Sequence, residues 1–253
     1  MSILGIDVGG SGIKGATVDC VAGRLLVERH KVLTPQPATP AAVAAVLAEV
    51  AGHFEGFSRV GVAVPAVVKQ GVTHTAANID PAWIGCDAAG LLQSALGLPV
   101  AVLNDADAAG LAEMRFGAGR DQRGTVVLLT LGTGIGSAVF VDGVLVPNTE
   151  FGHMNIRGKE AEHRAAGQVR KAEGLSWRRW SERLSEVLQA MEALLWPDLF
   201  IIGGGVSRKH EKFIPLLECR TPIAPAALGN DAGIVGAALA AGAVMTVPDE
   251  AHS

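Results

Sequence analysis

Tyrosine is absent from this sequence, and aromatic residues of all kinds reach only 4%. A core must therefore be assembled largely from Ala, Val, Leu and Ile, within the 49% of the chain that is hydrophobic. Charge is sparse as well, at 18% of residues and a net −4. A general nucleic-acid binder would carry a basic excess, so that class is excluded. No apolar run is long enough to span a bilayer, and no leader precedes the first strand, so neither a membrane partner nor export is expected. The three cysteines, Cys20, Cys86 and Cys219, lie far apart and form no C-x-x-C pair. That pattern points to reduced thiols in the cytoplasm and argues against a zinc site.

What the sequence does have is glycine, 32 of 253 residues, and one Gly-rich stretch that it uses twice. Gly10-Ser11-Gly12-Ile13 returns half a chain later as Gly132-Thr133-Gly134-Ile135, with Ala16 then matching Ala138 and Val18 matching Phe140. Apolar runs flank each copy, so each reads as strand, tight turn, strand. Glycines there can turn the backbone at positive φ and leave a concave row of N–H groups, which suits an anion. Two such turns suggest two lobes closing on one phosphate chain; the alternative is a pair of ordinary hairpins. Gly10 to Gly15 also spells the dinucleotide pattern G-x-G-x-x-G, but that fingerprint must open a helix, and Ala16-Thr17-Val18-Asp19 reads as strand. No G-x-x-x-x-G-K-[ST] occurs.

Along the chain, 2–8, 13–19 and 24–33 read as a three-stranded meander, 34–40 as a Pro-rich loop, and 41–54 as a helix. A buried strand is expected over 60–64 and a turn over 69–72. Asp87 should cap a helix to Leu96. A strand over 100–103 ends on Asn104-Asp105, and a helix follows to Phe116. Asp142-Gly143 marks a hairpin. Trp177, Trp180, Leu184, Leu188, Met191 and Leu195 recur at three- and four-residue spacing, a helical face that Pro197 stops. A strand over 199–202 meets Gly203-Gly204-Gly205, and 231–244 is a small-residue helix. Strands and helices alternate, so the fold class is α/β.

Asn104-Asp105 lies where a strand gives way to a helix, the edge at which α/β proteins favour ligands. Asp105 could equally be a helix N-cap and no more, and Asp107 is a rival carboxylate. Glu150 and His153 are three apart, which could supply two metal ligands, but no third is evident nearby. Hydrogen bonds to a polar ligand are the better reading. Asn78 alone means little.

Taken together, Asp7-Val8-Gly9-Gly10-Ser11, Asn104-Asp105, Leu131 to Gly136, Glu150-Phe151-Gly152-His153, Gly203 to Ser207 and Leu228 to Ala232 resemble the ROK family of sugar kinases, within the sugar-kinase/actin/Hsp70 superfamily. The resemblance implies an α/β, two-lobed fold with a sugar cleft: a small lobe over 1–108 completed by a helix over 231–245, and a large lobe over 109–230. It implies Asp105 as catalytic base and Asn78, Asn104, Glu150 and His153 as hydrogen-bonding partners of sugar hydroxyls. Asp7 would hold Mg²⁺, directly or through water. Gly9, Gly10, Ser11, Gly12 and Lys14, Gly132, Thr133 and Gly134, and Gly204 and Gly205 would hold donor phosphates. Relatives also suggest a homodimer.

Two departures stand out. Most ROK kinases carry a Cys-rich zinc segment after Glu-x-Gly-His, and then a sugar-binding Glu. Here 155–164 has no Cys, so zinc is expected to be absent, with Glu162 as the sugar-binding Glu and Glu160 as a weaker candidate. The zinc-free form resembles the polyphosphate glucokinases of actinobacteria, which makes glucose the acceptor and inorganic polyphosphate the donor. The second departure is Pro65-Ala66 where many relatives have Pro-Gly. Charge leans the same way: between Arg157 and Arg183 basic side chains outnumber acids eight to four, and Arg208, Lys209 and Lys212 follow the third glycine turn. A long polyanion needs such a positive track. An ATP-dependent glucokinase or glucomannokinase is the alternative. A sugar-sensing repressor would carry a DNA-binding domain before the first strand, and a non-catalytic sugar binder would not need Asp105.

Overall fold

The computed structural model describes residues 2–77 and 79–243. They form two compact units: the residues up to Ala112 together with those from Asp231 on, and Glu113–Asn230.

In the first unit, β1 (Ser2–Gly9) and β2 (Gly12–Asp19) make the hairpin expected from the first glycine stretch. Short strands β3 (Arg24–Leu25) and β4 (His30–Val32) both pair with β2. The single strand expected over 24–33 is therefore broken. Leu25 faces Val18 and His30 faces Gly15, so Leu26 to Arg29 bridge a gap that Ala16 and Thr17 fill on β2. The excess bulges outward, leaving Leu26 and Val27 about half exposed, with no sheet face to cover. Helix α1 (Pro40–Gly52) starts on Thr39, whose hydroxyl accepts from the Ala42 amide, with Pro40 in the first turn, where its missing N–H costs nothing. Then come β5 (Phe57–Val64), a small hairpin of β6 (Val68–Lys69) and β7 (Val72–Thr73), α2 (Ala88–Leu96), and β8 (Val100–Asn104) leading into α3 (Asp105–Phe116). Asp87 caps α2 through the Gly90 amide, and Gly97 ends it in the left-handed region, φ 64°. The sheet order is β3-β2-β1-β5-β8, antiparallel across the hairpin and parallel from β1 onward.

The closing helix of this unit, Ala232–Ala243, lies against that sheet with almost no side chain between them. A Cβ on Gly5 would run into the Ile234 carbonyl, and one on Gly61 into that of Ala237. Glycine on the strands and small residues on the helix thus set the spacing, which is why an apolar helix without bulk is used here.

The second unit repeats the plan. Strands β9 (Thr125–Leu131), β10 (Ile135–Val141) and β11 (Val144–Val146) form a meander. The β10–β11 turn is the expected Asp142-Gly143, both at positive φ, as a type I′ turn demands. A tiny hairpin follows, β12 (Asn155–Ile156) and β13 (Lys159–Glu160), then α4 (Ala161–Ala165), α5 (Gly167–Ala172) and α6 (Trp177–Leu195). Strands β14 (Leu199–Gly203) and β15 (Ile223–Pro225) complete the sheet in the order β11-β10-β9-β14-β15. Ser176 caps α6, and Trp180, Leu184, Leu188 and Met191 are fully buried on its expected face. Despite the shortage of aromatics, this core is centred on them: Trp180 meets Phe213 edge-on at 5.0 Å, and its indole N–H donates to the Ala165 carbonyl at 3.0 Å. No helix among the described residues is long and apolar enough to cross a membrane.

Candidate active site

In the first unit, Gly9 pairs with Gly12, so Gly10 and Ser11 alone make the turn, and both are exposed. The second turn is one residue longer, Gly132-Thr133-Gly134 between Leu131 and Ile135. Neither turn uses positive φ, which corrects the expectation for these glycines. What glycine gives instead is room: a Cβ on Gly10 or Gly132 would meet nothing within 4 Å. Gly10, Ser11, Gly132 and Thr133 are exposed, although the Gly132 amide donates to the Gly134 carbonyl within its own turn at 3.0 Å. The Thr34 hydroxyl donates to the Gly9 carbonyl at 2.5 Å and steadies the first turn. A cavity of about 310 Å³ opens beside it, lined by Gly9, Gly10, Thr34, Gln36 and Asp80 among others.

Asp7 and Lys14 are cross-strand partners, and the ammonium lies 3.4 Å from the carboxylate. Burial pushes the Asp7 carboxyl above its usual range, and Lys14 opposes this without cancelling it. Gly233 lies against the Asp7 side chain, where a Cβ would come within 3.1 Å of Cγ. A partly desolvated carboxylate beside an exposed glycine turn could hold a hard divalent cation such as Mg²⁺. Part of the Lys14 charge is spent on Asp7.

The cap of α3 is Asn104. Its side-chain oxygen accepts from the Ala106 and Asp107 amides at 2.8 and 3.1 Å, and its amide nitrogen donates to the Ala66 carbonyl at 3.2 Å. Asn104 is buried, and its amide nitrogen carries a second hydrogen besides the one given to Ala66. The capping alternative for Asp105 is thereby removed. Asp105 opens the helix half-buried, whereas the rival Asp107 is 2% exposed. Asn78 lies outside the described residues.

In the second unit the glycine segments converge. Gly204, at φ 78°, lies so close to the Leu131 backbone that a Cβ would sit 2.6 Å from its N and O atoms. The Gln168 amide donates to the Gly132 carbonyl at 2.9 Å, and the Ser207 hydroxyl donates to the Gly204 carbonyl at 2.8 Å. Gly205 then begins a run of 3₁₀ turns that carries Arg208, Lys209 and Lys212, all exposed. These positive charges follow the Gly204-Gly205 turn directly along the chain.

The Glu150–His153 segment is held by β10. The Ser137 hydroxyl donates to the Thr149 carbonyl at 2.7 Å and accepts from the Phe151 amide at 3.0 Å. Gly152 lies against the Ile135 carbonyl, where any Cβ would collide, which explains the glycine between Glu150 and His153. The β12–β13 hairpin turns on Arg157 and Gly158, both at positive φ, and returns Glu160 to His153. His153 Nδ1 is 3.3 Å from Glu160, and its Nε2 is 3.7 Å from Glu150. Glu162, at the start of α4, accepts from the Ile135 amide at 3.4 Å. Burial pushes the Glu150 carboxyl up; His153 opposes the shift and Glu162 adds to it. Ligand atoms of His153, Glu160 and Glu162 lie within 4.8 Å of one another and could hold a metal ion. Glu150 is not part of this group, so the Glu150–His153 pair considered from the sequence gains no third ligand; the cluster is instead His153 with Glu160 and Glu162.

The basic stretch 157–183 is not an uncommitted track. Arg157 and Arg164 both pair with Glu186, just beyond the stretch. Arg178 and Arg179 share Glu182, and Arg183 takes Glu173 at 2.8 Å. Arg170 stacks over Trp177 at 4.0 Å. Five arginines of this stretch are thus offset by carboxylates, whereas Arg208, Lys209 and Lys212 are exposed.

One residue in this unit gave no sequence signal. Glu113 is fully buried on α3, and its carboxylate accepts from the amides of Ala118, Ala227 and Leu228 at 2.9, 3.0 and 2.8 Å.

The chain is similar to several known proteins. The family model described as "ROK family" matches residues 3–169. Polyphosphate glucokinase of Mycobacterium tuberculosis is 57% identical over 249 residues, 98% of this chain and 92% of that one. The crystal structure of an inorganic polyphosphate/ATP-glucomannokinase from Arthrobacter sp. strain KM superposes with a TM-score of 0.93 at 49% identity, covering 96% of this chain and 99% of that one. A ROK glucokinase from Streptomyces griseus, in complex with glucose and AMPPNP, gives 0.82 at 25% identity, covering 96% of this chain and all of that one (100%). The fold is that of the ROK sugar kinases.

Proposed function

The chain belongs to the ROK family, and on that premise we propose that it is a polyphosphate glucokinase. It moves the terminal phosphoryl group of inorganic polyphosphate to the 6-hydroxyl of glucose. The observation that carries this reading is the likeness to the mycobacterial polyphosphate glucokinase along nearly the whole chain. Incubation of glucose with polyphosphate and the purified protein should yield glucose 6-phosphate, read by phosphorus NMR; no sugar phosphate from polyphosphate would reject it.

Phosphoryl transfer asks for alignment and charge neutralisation more than for covalent help. Asp105 takes the proton from the attacking hydroxyl. A carboxylate at a helix N-terminus is a weak base, because the helix dipole favours its ionised form. It suffices here, since a loose transition state needs the proton removed only late. Glu150, His153 and Glu162 accept from ring hydroxyls, and Asn104 and Asn78 contribute amide hydrogens. Amides of the glycine turns at Gly9 to Gly12, Gly132 to Gly134 and Gly204-Gly205, with Ser11, Thr133 and Lys14, hold the donor phosphates. Mg²⁺ near Asp7, when bound, neutralises charge on the donor. Zinc has no part in this reading, and untagged protein washed with EDTA should contain none by elemental analysis; one zinc per chain would contradict that.

Glu162 gives a direct check on the sugar set. Glu162→Gln keeps a carbonyl for the Ile135 amide but removes the charge offered to a hydroxyl. The glucose KM should rise about tenfold, the worth of one hydrogen bond to a charged group. The donor KM should hardly move, and a change confined to the donor KM would place Glu162 elsewhere.

ATP is the competing donor, favoured by the dual-donor Arthrobacter glucomannokinase.

A further inference from the structure

The His153 imidazole has a carboxylate on each side. Glu160 lies 3.3 Å from Nδ1, and Glu150 lies 3.7 Å from Nε2. The first separation is a hydrogen bond and the second is longer than one. We propose that Glu160 is a positioning residue for the sugar site: it accepts the Nδ1 proton of His153, so that Nε2 carries a lone pair. The inference rests on the reading of Glu150 and His153 as sugar contacts.

The chemistry follows from the tautomer. A neutral imidazole with its proton on Nδ1 can only accept at Nε2. Nε2 and the Glu150 carboxylate then form two adjacent acceptors, 3.7 Å apart. That arrangement suits two neighbouring hydroxyls of a pyranose, each giving one proton. The opposite tautomer would point N–H at Glu150 and let the two protein groups satisfy each other, leaving the sugar fewer acceptors. Glu160 is well placed to set this choice, because β13 is short and its partner strand leads straight back to His153. A rival donor is close: His163 Nδ1 lies 3.5 Å from the same Glu160 oxygen, and its Nε2 lies 3.8 Å from Glu162. His163 is two-thirds exposed, so its claim on Glu160 is the weaker one.

The test uses full-length protein with ¹⁵N-labelled histidine. Two-bond proton–nitrogen spectra should show His153 as the Nδ1–H tautomer in the wild type and as Nε2–H in Glu160→Ala. The glucose KM of Glu160→Ala should rise about tenfold with kcat within twofold, as expected for one lost ground-state contact. Glu160→Gln, which keeps a carbonyl acceptor, should restore both the tautomer and the KM. In a His153→Ala background, Glu160→Ala should add nothing. His163→Ala should leave the glucose KM unchanged. An Nε2–H tautomer or a doubly protonated imidazolium in the wild type overturns the proposal. So does a Glu160→Ala effect that persists undiminished in His153→Ala, since Glu160 would then touch the sugar itself. If His153→Ala leaves the glucose KM unchanged, the sugar-site reading fails and this role with it; the tautomer spectra would still show whether the Glu160–His153 pair exists.

Discussion

Asp105→Asn should abolish most of the kinase activity while leaving the protein folded and able to bind glucose. The expected loss in kcat is roughly 10²- to 10⁴-fold, the usual contribution of a positioned general base. The structure separates this substitution from the capping of α3. The α3 cap is Asn104, through the Ala106 and Asp107 amides, so Asp105 is not the residue that starts the helix. Asparagine has the same shape as aspartate and tolerates a first helical turn. Thermal midpoint and glucose affinity should therefore stay close to wild type. Turnover within threefold of wild type would remove Asp105 from the chemistry, and the buried Asp107 would not be an adequate substitute.

Glu113→Ala should damage stability more than any surface change. Three backbone amides donate to this one buried carboxylate, two of them from Ala227 and Leu228. Removal leaves those donors without an acceptor, at about 1–3 kcal/mol each, so a total of about 3–5 kcal/mol is expected after partial rescue by water. For a chain of this size that corresponds to a fall of roughly 10 °C in Tm. Glu113→Gln should cost less, since its carbonyl can keep part of the network. A Glu113→Ala midpoint within 2 °C of wild type would show that the network carries little.

The contrast between these two residues shows what the sequence could reveal. Elements with strong local periods were legible: the α6 face of Trp180, Leu184, Leu188 and Met191, and the Asp142-Gly143 turn. The two glycine hairpins were legible as hairpins, though not their unequal lengths or their φ values, because glycine permits either conformation. Asn104 and Asp105 are both good caps, and only the end of β8 decides between them. Glu160 reaches His153 through a turn that puts Arg157 at φ 52°, a conformation few would assign to arginine. Glu113 looks like any polar residue in a helix, because two of its three partners lie more than a hundred residues away. The same blindness affected the basic stretch: Glu186 and Glu173 neutralise arginines that are distant in sequence or on the next helix.

The donor is the centre of the account. Polyphosphate is a chain of charges, and the exposed Arg208, Lys209 and Lys212 stand directly behind the Gly204-Gly205 turn. Exposed charges of this kind are screened by salt, so polyphosphate use should weaken with ionic strength more than glucose binding does. The most direct measurement is the initial rate of glucose phosphorylation with polyphosphate and, separately, with ATP, at saturating glucose and Mg²⁺. A higher kcat/KM with polyphosphate is the result expected. Brisk phosphorylation from ATP with none from polyphosphate would contradict it.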